Sequence, residues 1–259
     1  MKTKAVLVVF LVSLIYLFNA CKDSDSPGQP NGDPEVDDSY FPAGDGSSYK
    51  YDIERTNGSQ EIGERSSRYS GTETKNGTNY QRQQDSVTIA GQTRSSLSFF
   101  RKTDTGVFFF IDTTGLSSAV PDSLLQYLTL DTEMRLLFLP IEDGTNWTAF
   151  RININYLGIF NFNPVEVNAV YEGKENLTLN LDSGSQDVEA ARIKFILRYQ
   201  IDPFGAPVNF EAYNWFAKSI GIVKWEGNGT IIGAFTGGGI NFDDSTSIIM
   251  MNITDYNIN

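Results

Sequence analysis

Ser47-Ser48-Tyr49-Lys50 has the spacing of S-x-x-K, the signature of serine acyl transfer, in which a serine at a helix start is acylated beside a lysine. That chemistry needs S-D-N and K-T-G partners further along the chain. Neither occurs, since Lys102-Thr103 continues to Asp104, and the residues around Ser47 read as strand. Adjacent acids stand at Glu142-Asp143 and at Asp243-Asp244. Two carboxyls held ~5 to ~9.5 Å apart across a cleft would cleave a glycosidic bond, and the same turns could hold Ca²⁺ with backbone oxygens. Adjacent acids in glycine-rich turns are usually just solvated. Asp23-Ser24-Asp25 with Gly28 starts like an EF-hand loop, but its twelfth position is Pro34, not a bidentate Glu. Gly237-Gly238-Gly239 lacks the Lys-Ser/Thr of a phosphate loop. The chain has no histidine, which removes Ser-His-Asp and Cys-His catalysis along with the commonest general base and metal ligand. A zinc site of carboxylates alone would be unusual. The expectation is a protein that is not an enzyme and carries no cofactor or metal.

The strongest local signal is at the start. Lys2 and Lys4 precede an apolar stretch from Ala5 to Phe18 broken only by Ser13, and Asn19-Ala20-Cys21 follows. This is the charge, apolar core and small-residue order of a secretory signal. At ~1.5 Å rise per residue the stretch is short for a ~30 Å bilayer core. Cys21 is the only cysteine, so no internal disulfide can form. Leu17-Phe18-Asn19-Ala20-Cys21 resembles the lipobox of bacterial lipoproteins, and that resemblance implies a lipid attached at Cys21. Each buried acyl CH₂ contributes ~0.8 kcal/mol, so several chains on one residue hold a protein firmly to a membrane. Residues 22–38 are rich in Asp, Pro and Gly and carry no aromatic side chain. Such a segment buries too little apolar area to offset its chain entropy and reads as an acidic, disordered tether. The organisation is thus a signal over 1–20, a lipidated cysteine and tether over 21–38, and a domain over 39–259. Lys22-Asp23-Ser24-Asp25 resembles the export tags of surface lipoproteins of the Bacteroidetes type.

The body reads as strands. Ile193, Phe195, Leu197, Tyr199 and Ile201 alternate with polar residues, as do Phe150, Ile152, Ile154 and Tyr156. Further runs lie at 48–55, 79–90, 95–102, 106–112, 166–171, 208–214, 230–235 and 247–257. Turns are expected at Asn57-Gly58, Asn76-Gly77, Asp104 to Gly106, Glu142 to Gly144, Asn228-Gly229 and Gly237 to Gly239. Trp215 to Ala217 ends one run and Ile220 to Trp225 begins another, with Gly221 marking a bulge or a close backbone contact. Helical spacing is confined to Pro121–Tyr127. The expected fold is mainly β: a single large, strongly curved antiparallel sheet, a half-barrel or open barrel, with a short helical segment. A net charge of −12, or −14 once Lys2 and Lys4 leave with the signal, argues against nucleic acid and against anionic membrane surfaces as partners.

Three stretches carry a family likeness. YFPAGDGSSYKYDI at 40–53, LPIEDGTNW at 139–147 and WFAKSIGIVKWE at 215–226 resemble motifs of β-rich, uncharacterised bacterial lipoproteins of the Bacteroidetes type. Those motifs read YFPL-x-x-G-x-x-W-x-Y, P-L-x-x-G-x-x-W and A-x-G-V-G-L-V-K-x-E, and Ala43, Tyr49 and Ser219 depart from them. The resemblance implies a curved sheet around a short helical plug, similar to the Lol-type lipoprotein-carrier half-barrel, and implies no activity.

The function expected from these readings is that of a lipid-anchored envelope lipoprotein at the bacterial outer membrane, on its periplasmic face or the cell surface. Its partner would be the membrane, through the lipid. It would serve as a non-enzymatic binding or structural module, with a lipid or other apolar molecule the best candidate ligand. Trp147, Trp215, Trp225 and Phe195 would line the cavity. The alternative is a carbohydrate-binding or carbohydrate-hydrolysing surface lipoprotein. Six Asn-x-Ser/Thr triplets, at Asn57, Asn76, Asn146, Asn176, Asn228 and Asn252, are read as turn composition. Asp85-Ser86-Val87, Asp112-Thr113-Thr114 and Asp122-Ser123-Leu124 resemble O-glycan acceptors.

Overall fold

Alternation along the chain becomes thirteen strands in one sheet. The computed structural model describes residues 40–112, 126–200, 204–236 and 245–259. In chain order the strands are β1 Ser48–Asn57, β2 Ser59–Lys75, β3 Thr78–Ile89, β4 Gln92–Thr103, β5 Gly106–Phe110, β6 Leu128–Leu130 and β7 Glu133–Phe138. They continue as β8 Asn146–Tyr156, β9 Phe160–Leu181, β10 Gly184–Tyr199, β11 Val208–Ala217, β12 Gly221–Asn228 and β13 Ile248–Asn257. One helix, α1, spans Gly229–Phe235. The order across the sheet is β6-β8-β9-β10-β11-β12-β13-β1-β2-β3-β4-β5-β7, and every neighbouring pair is antiparallel.

The sheet is open and strongly curved, as expected. Edge strand β7 has no ladder to β8, yet the indole N–H of Trp147 on β8 donates to the carbonyl of Arg135 on β7 at 2.9 Å. Helix α1 packs in the concave side against β11, β12 and β13, while Ser96 on distant β4 donates to the carbonyl of Thr236 at its end, 3.1 Å away. Close strand spacing depends on small residues at Gly63, Gly106 and Gly227. A Cβ on Gly63 would lie 2.2 Å from the carbonyl oxygen of Thr88 on the paired strand β3.

Most expected strand runs fall inside observed strands, but 230–235 does not: it is α1. The Asn228-Gly229 pair is accordingly no turn. Asn228 is the N-cap, its side-chain oxygen accepting from Thr230 N at 3.0 Å while its amide donates to the Ser245 carbonyl at 2.7 Å. A short apolar run such as Thr230–Phe235 has no period that separates strand from helix. Burial separates them afterwards, because Ile231, Ile232 and Phe235 share one helical face and are all buried. Of the expected helical stretch Pro121–Tyr127, only Gln126 and Tyr127 are described, and they form a turn. Cys21, the tether, Gly237–Gly239 and Asp243-Asp244 lie outside the described residues.

Candidate functional site

The stretch with two tryptophans forms the β11–β12 hairpin and the strand that follows. Ser219 takes φ 60° and Gly221 φ 103°. The Ser219 backbone is left-handed, a conformation that costs glycine nothing. At Gly221 the positive φ, rather than a close approach, favours glycine: a Cβ there would make ordinary contact at 3.5 Å with both the Tyr49 hydroxyl and Pro42 Cδ. The first and third motif segments therefore pack against each other.

Trp215 and Trp225 end on opposite faces. Trp225 points into the concave core, 5.4 Å from the ring of Phe235. Phe195 joins them, its ring 4.8 Å from Phe235 and 6.5 Å from Trp147. Trp215 lies on the convex side, with Lys224 Nζ 4.5 Å and the Arg192 guanidinium 5.3 Å from its ring, and its indole N–H bonds the Glu175 carboxylate. It is buried because the distal half of the β9–β10 hairpin folds over that face. Gly173, at φ 110°, opens a bulge that lets the hairpin bend, and its end reaches β13 through Asp182 N donating to the Thr254 carbonyl at 2.8 Å. Of the four residues expected to line a cavity, Trp147, Phe195 and Trp225 thus share the core and Trp215 stands apart. Only Trp225 borders the internal space described next.

That space lies between β1, β2, β3 and β12. Tyr49 and Tyr51 from β1, Arg65, Ser67 and Tyr69 from β2, and Gln83 from β3 all contribute. At its polar end Asp85, fully buried, accepts from Arg65 Nε at 2.8 Å, Ser67 Oγ at 2.6 Å and Gln83 Nε2 at 2.6 Å. Burial works against the Arg65 charge, but Asp85 prevails and holds the guanidinium above its ordinary pKa. The guanidinium lies 5.4 Å from the Tyr51 ring, whose hydroxyl donates to the Ile222 carbonyl at 2.9 Å. Burial pushes the Tyr49, Tyr51 and Tyr69 phenols well above the usual range; Tyr51 and Asp85 add to this, while Arg65 opposes it at Tyr51 and Tyr69. The cavity is about 20 Å³, room for roughly one water. That is too small for an acyl chain or sugar, which needs at least ~300 Å³. The larger spaces, open clefts of about 360–400 Å³, lie elsewhere, lined mainly by polar residues such as Lys50, Arg68 and Gln84, or Asp52, Asn180 and Lys224, or Asn176, Thr178 and Asp187.

The other chemical candidates do not assemble. Ser47 Oγ accepts from Asn259 N at 3.1 Å, whereas Lys50 pairs with Asp255 at 3.4 Å. Glu142 and Asp143 are exposed in the loop before β8. Asp85 of one glycan-like triplet is the buried ion partner above. The Arg65–Asp85 cluster escapes sequence reading, since Arg65, Ser67, Gln83 and Asp85 look like wet-face residues.

No protein-family model matches the chain, and no curated protein matches it in sequence. Among solved structures, it is similar to a candidate lipoprotein from Parabacteroides distasonis at 8% identity and TM-score 0.41. It is also similar to a candidate exported protein with YmcC-like fold from Bacteroides fragilis at 15% identity and TM-score 0.44. Each overlap covers 84% of this chain and 98% of the other. Overlap this loose carries no inference from either protein to this one.

Proposed function

We propose that the protein is a lipid-anchored lipoprotein of the bacterial outer membrane, mature from Cys21, whose domain is a non-enzymatic structural or adhesive module. The observation that carries the reading is the position of the sole cysteine, directly after the apolar stretch and directly before the acidic tether. A filled interior favours a structural role over a carrier: Phe195, Phe216, Trp225 and Phe235 are almost fully buried, and the space beside them fits about one water. The carbohydrate alternative needs tryptophans in a row at the surface, and all three are 8% exposed or less. Labelled palmitate should enter the wild-type chain and not Cys21→Ala, which folds but leaves the membrane fraction. If the variant stays membrane-bound through a carbonate wash, the anchor is elsewhere. Native mass spectrometry of the purified protein should find no apolar ligand; a co-purifying lipid would restore the carrier reading. Protease accessibility on intact cells separates the periplasmic face from the cell surface.

A further inference from the structure

One end of the sheet is built unlike the rest. The β8–β9 hairpin runs beyond its neighbour β10, which pairs with β9 only as far as Val165. The projecting part, residues 152–165, reads ININYLGIFNFNPV and contains no charged residue. Its polar side chains are four asparagines and Tyr156. At the tip Tyr156 is 44% exposed, Leu157 61% and Ile159 84%, and Phe204, from the β10–β11 loop, is 91% exposed with its ring 6.4 Å from that of Phe160. Tyr127 adds its ring 4.7 Å from that of Tyr156. The turn is Leu157-Gly158, with φ 56° and 69°. This is a position where asparagine would be both less strained and more soluble.

We propose that this hairpin tip inserts into the membrane interface, so that the lipoprotein holds its bilayer at two points. The proposal rests on the lipid-anchored reading. Three observations favour a bilayer over a protein partner. The tip projects past the end of β10, with Leu157 and Ile159 exposed on either side of Gly158. Its nearest described charges, Asp131, Arg151, Glu166 and Arg198, lie side by side and balance one another, six or more residues back from the turn, while Asp202, two residues before Phe204, lies outside the described residues. At ~3.3 Å per residue that is roughly 20 Å from the tip, beyond the ~8–10 Å over which charge acts at physiological salt. A strongly acidic domain can therefore bring this end, of its described surface, to anionic lipid without repulsion. The anchor also allows it. Tyr40 enters at the opposite end, beside Lys218 and near Tyr171, and Tyr171 to Phe160 along β9 is roughly 36 Å. The 19 residues from Cys21 to Ser39 reach roughly 63 Å when extended, enough to return to the same surface.

The test uses the full acylated chain in phosphatidylethanolamine–phosphatidylglycerol vesicles, with a polarity-sensitive fluorophore on Ile159→Cys and, separately, on Lys218→Cys. Flotation is read in parallel. Insertion predicts a blue-shifted Ile159→Cys label quenched by shallow doxyl lipids, and an unshifted, unquenched label at Lys218→Cys. In Phe204→Cys the label should behave as at Ile159→Cys, and adding Leu157→Asp with Ile159→Asp should abolish its shift; all three side chains are exposed, so the fold is retained. A floating chain with both labels in water overturns insertion and leaves the anchor standing. A label shielded from aqueous iodide but untouched by doxyl lipids is covered by protein and also overturns it. A chain that does not float overturns the anchor and the insertion together.

Discussion

Replacing Asp85 by Ala removes the acceptor shared by Arg65, Ser67 and Gln83 at 2.6–2.8 Å. The residue left behind matters more than the bonds lost. Arg65 is 4% exposed, too deep to recover its hydration, and the neighbouring tyrosines offer hydroxyls and ring faces but no counter-charge. Stranding one charge of a buried pair costs about 3–5 kcal/mol. For a domain of this size each kcal/mol lowers Tm by about 2–4 °C, so the midpoint should fall by roughly 10 °C. Removing both charges with Arg65→Met and Asp85→Leu should recover part of that loss, because no charge is left stranded and only the neutral Ser67 and Gln83 groups lose their acceptor. Urea unfolding followed by tryptophan fluorescence provides the comparison, with Trp225 bordering the same space. If Asp85→Ala lies within 1 kcal/mol of the parent, or the double variant is no better than the single one, the pair is not a desolvated ion pair and the argument from burial fails.

Two further predictions come from the same interior. Tyr49, Tyr51 and Tyr69 have pKa values raised by burial, and Tyr80 is pushed up to about 12 by burial and its bond to Glu133. Above the unfolded value of ~10 the unfolded chain sheds protons that the folded chain keeps, so stability is full below pH ~10 and falls as pH rises toward 12. The tyrosinate absorbance of these four should then appear in one cooperative step coincident with unfolding; their ionisation while the domain stays folded would contradict it. Asn214 is fully buried, and neither its amide nor its carbonyl has a partner among the described residues. Asn214→Leu, close in volume, should stabilise the domain by about 1–3 kcal/mol in urea titration, and a loss above 1 kcal/mol would mean the amide is satisfied in solution.

The architecture was legible wherever the two faces of a strand differ in polarity. Strand β10 alternates Ile193, Phe195 and Leu197 with Arg192, Lys194 and Arg198, and its inward face could be read directly. Strand β2 could not, although at 17 residues it is longer than β10. Its inward residues Arg65 and Ser67 are as polar as its outward ones, because they face Asp85 on β3, a partner that becomes visible only when the strands are paired. A buried charge looks like a wet one until its partner is located. Helix α1 was hidden differently, since an asparagine before a glycine signals a hairpin turn or an N-cap equally well, and the apolar residues after it fit either outcome. The hairpin tip is the opposite case. Leu157, Ile159 and Phe204 look like core residues in the chain, yet in the fold they are exposed, so hydrophobicity alone would misplace them. At Asp85 and at Ile159 the fold overrides the same rule, apolar inside and polar outside, and each departure costs solvation energy that an ordinary core would avoid. The Asp85 cost is offset within the chain by Arg65, Ser67 and Gln83. Nothing among the described residues covers Ile159, and on the proposed reading a bilayer within reach of the tether would offset that exposure.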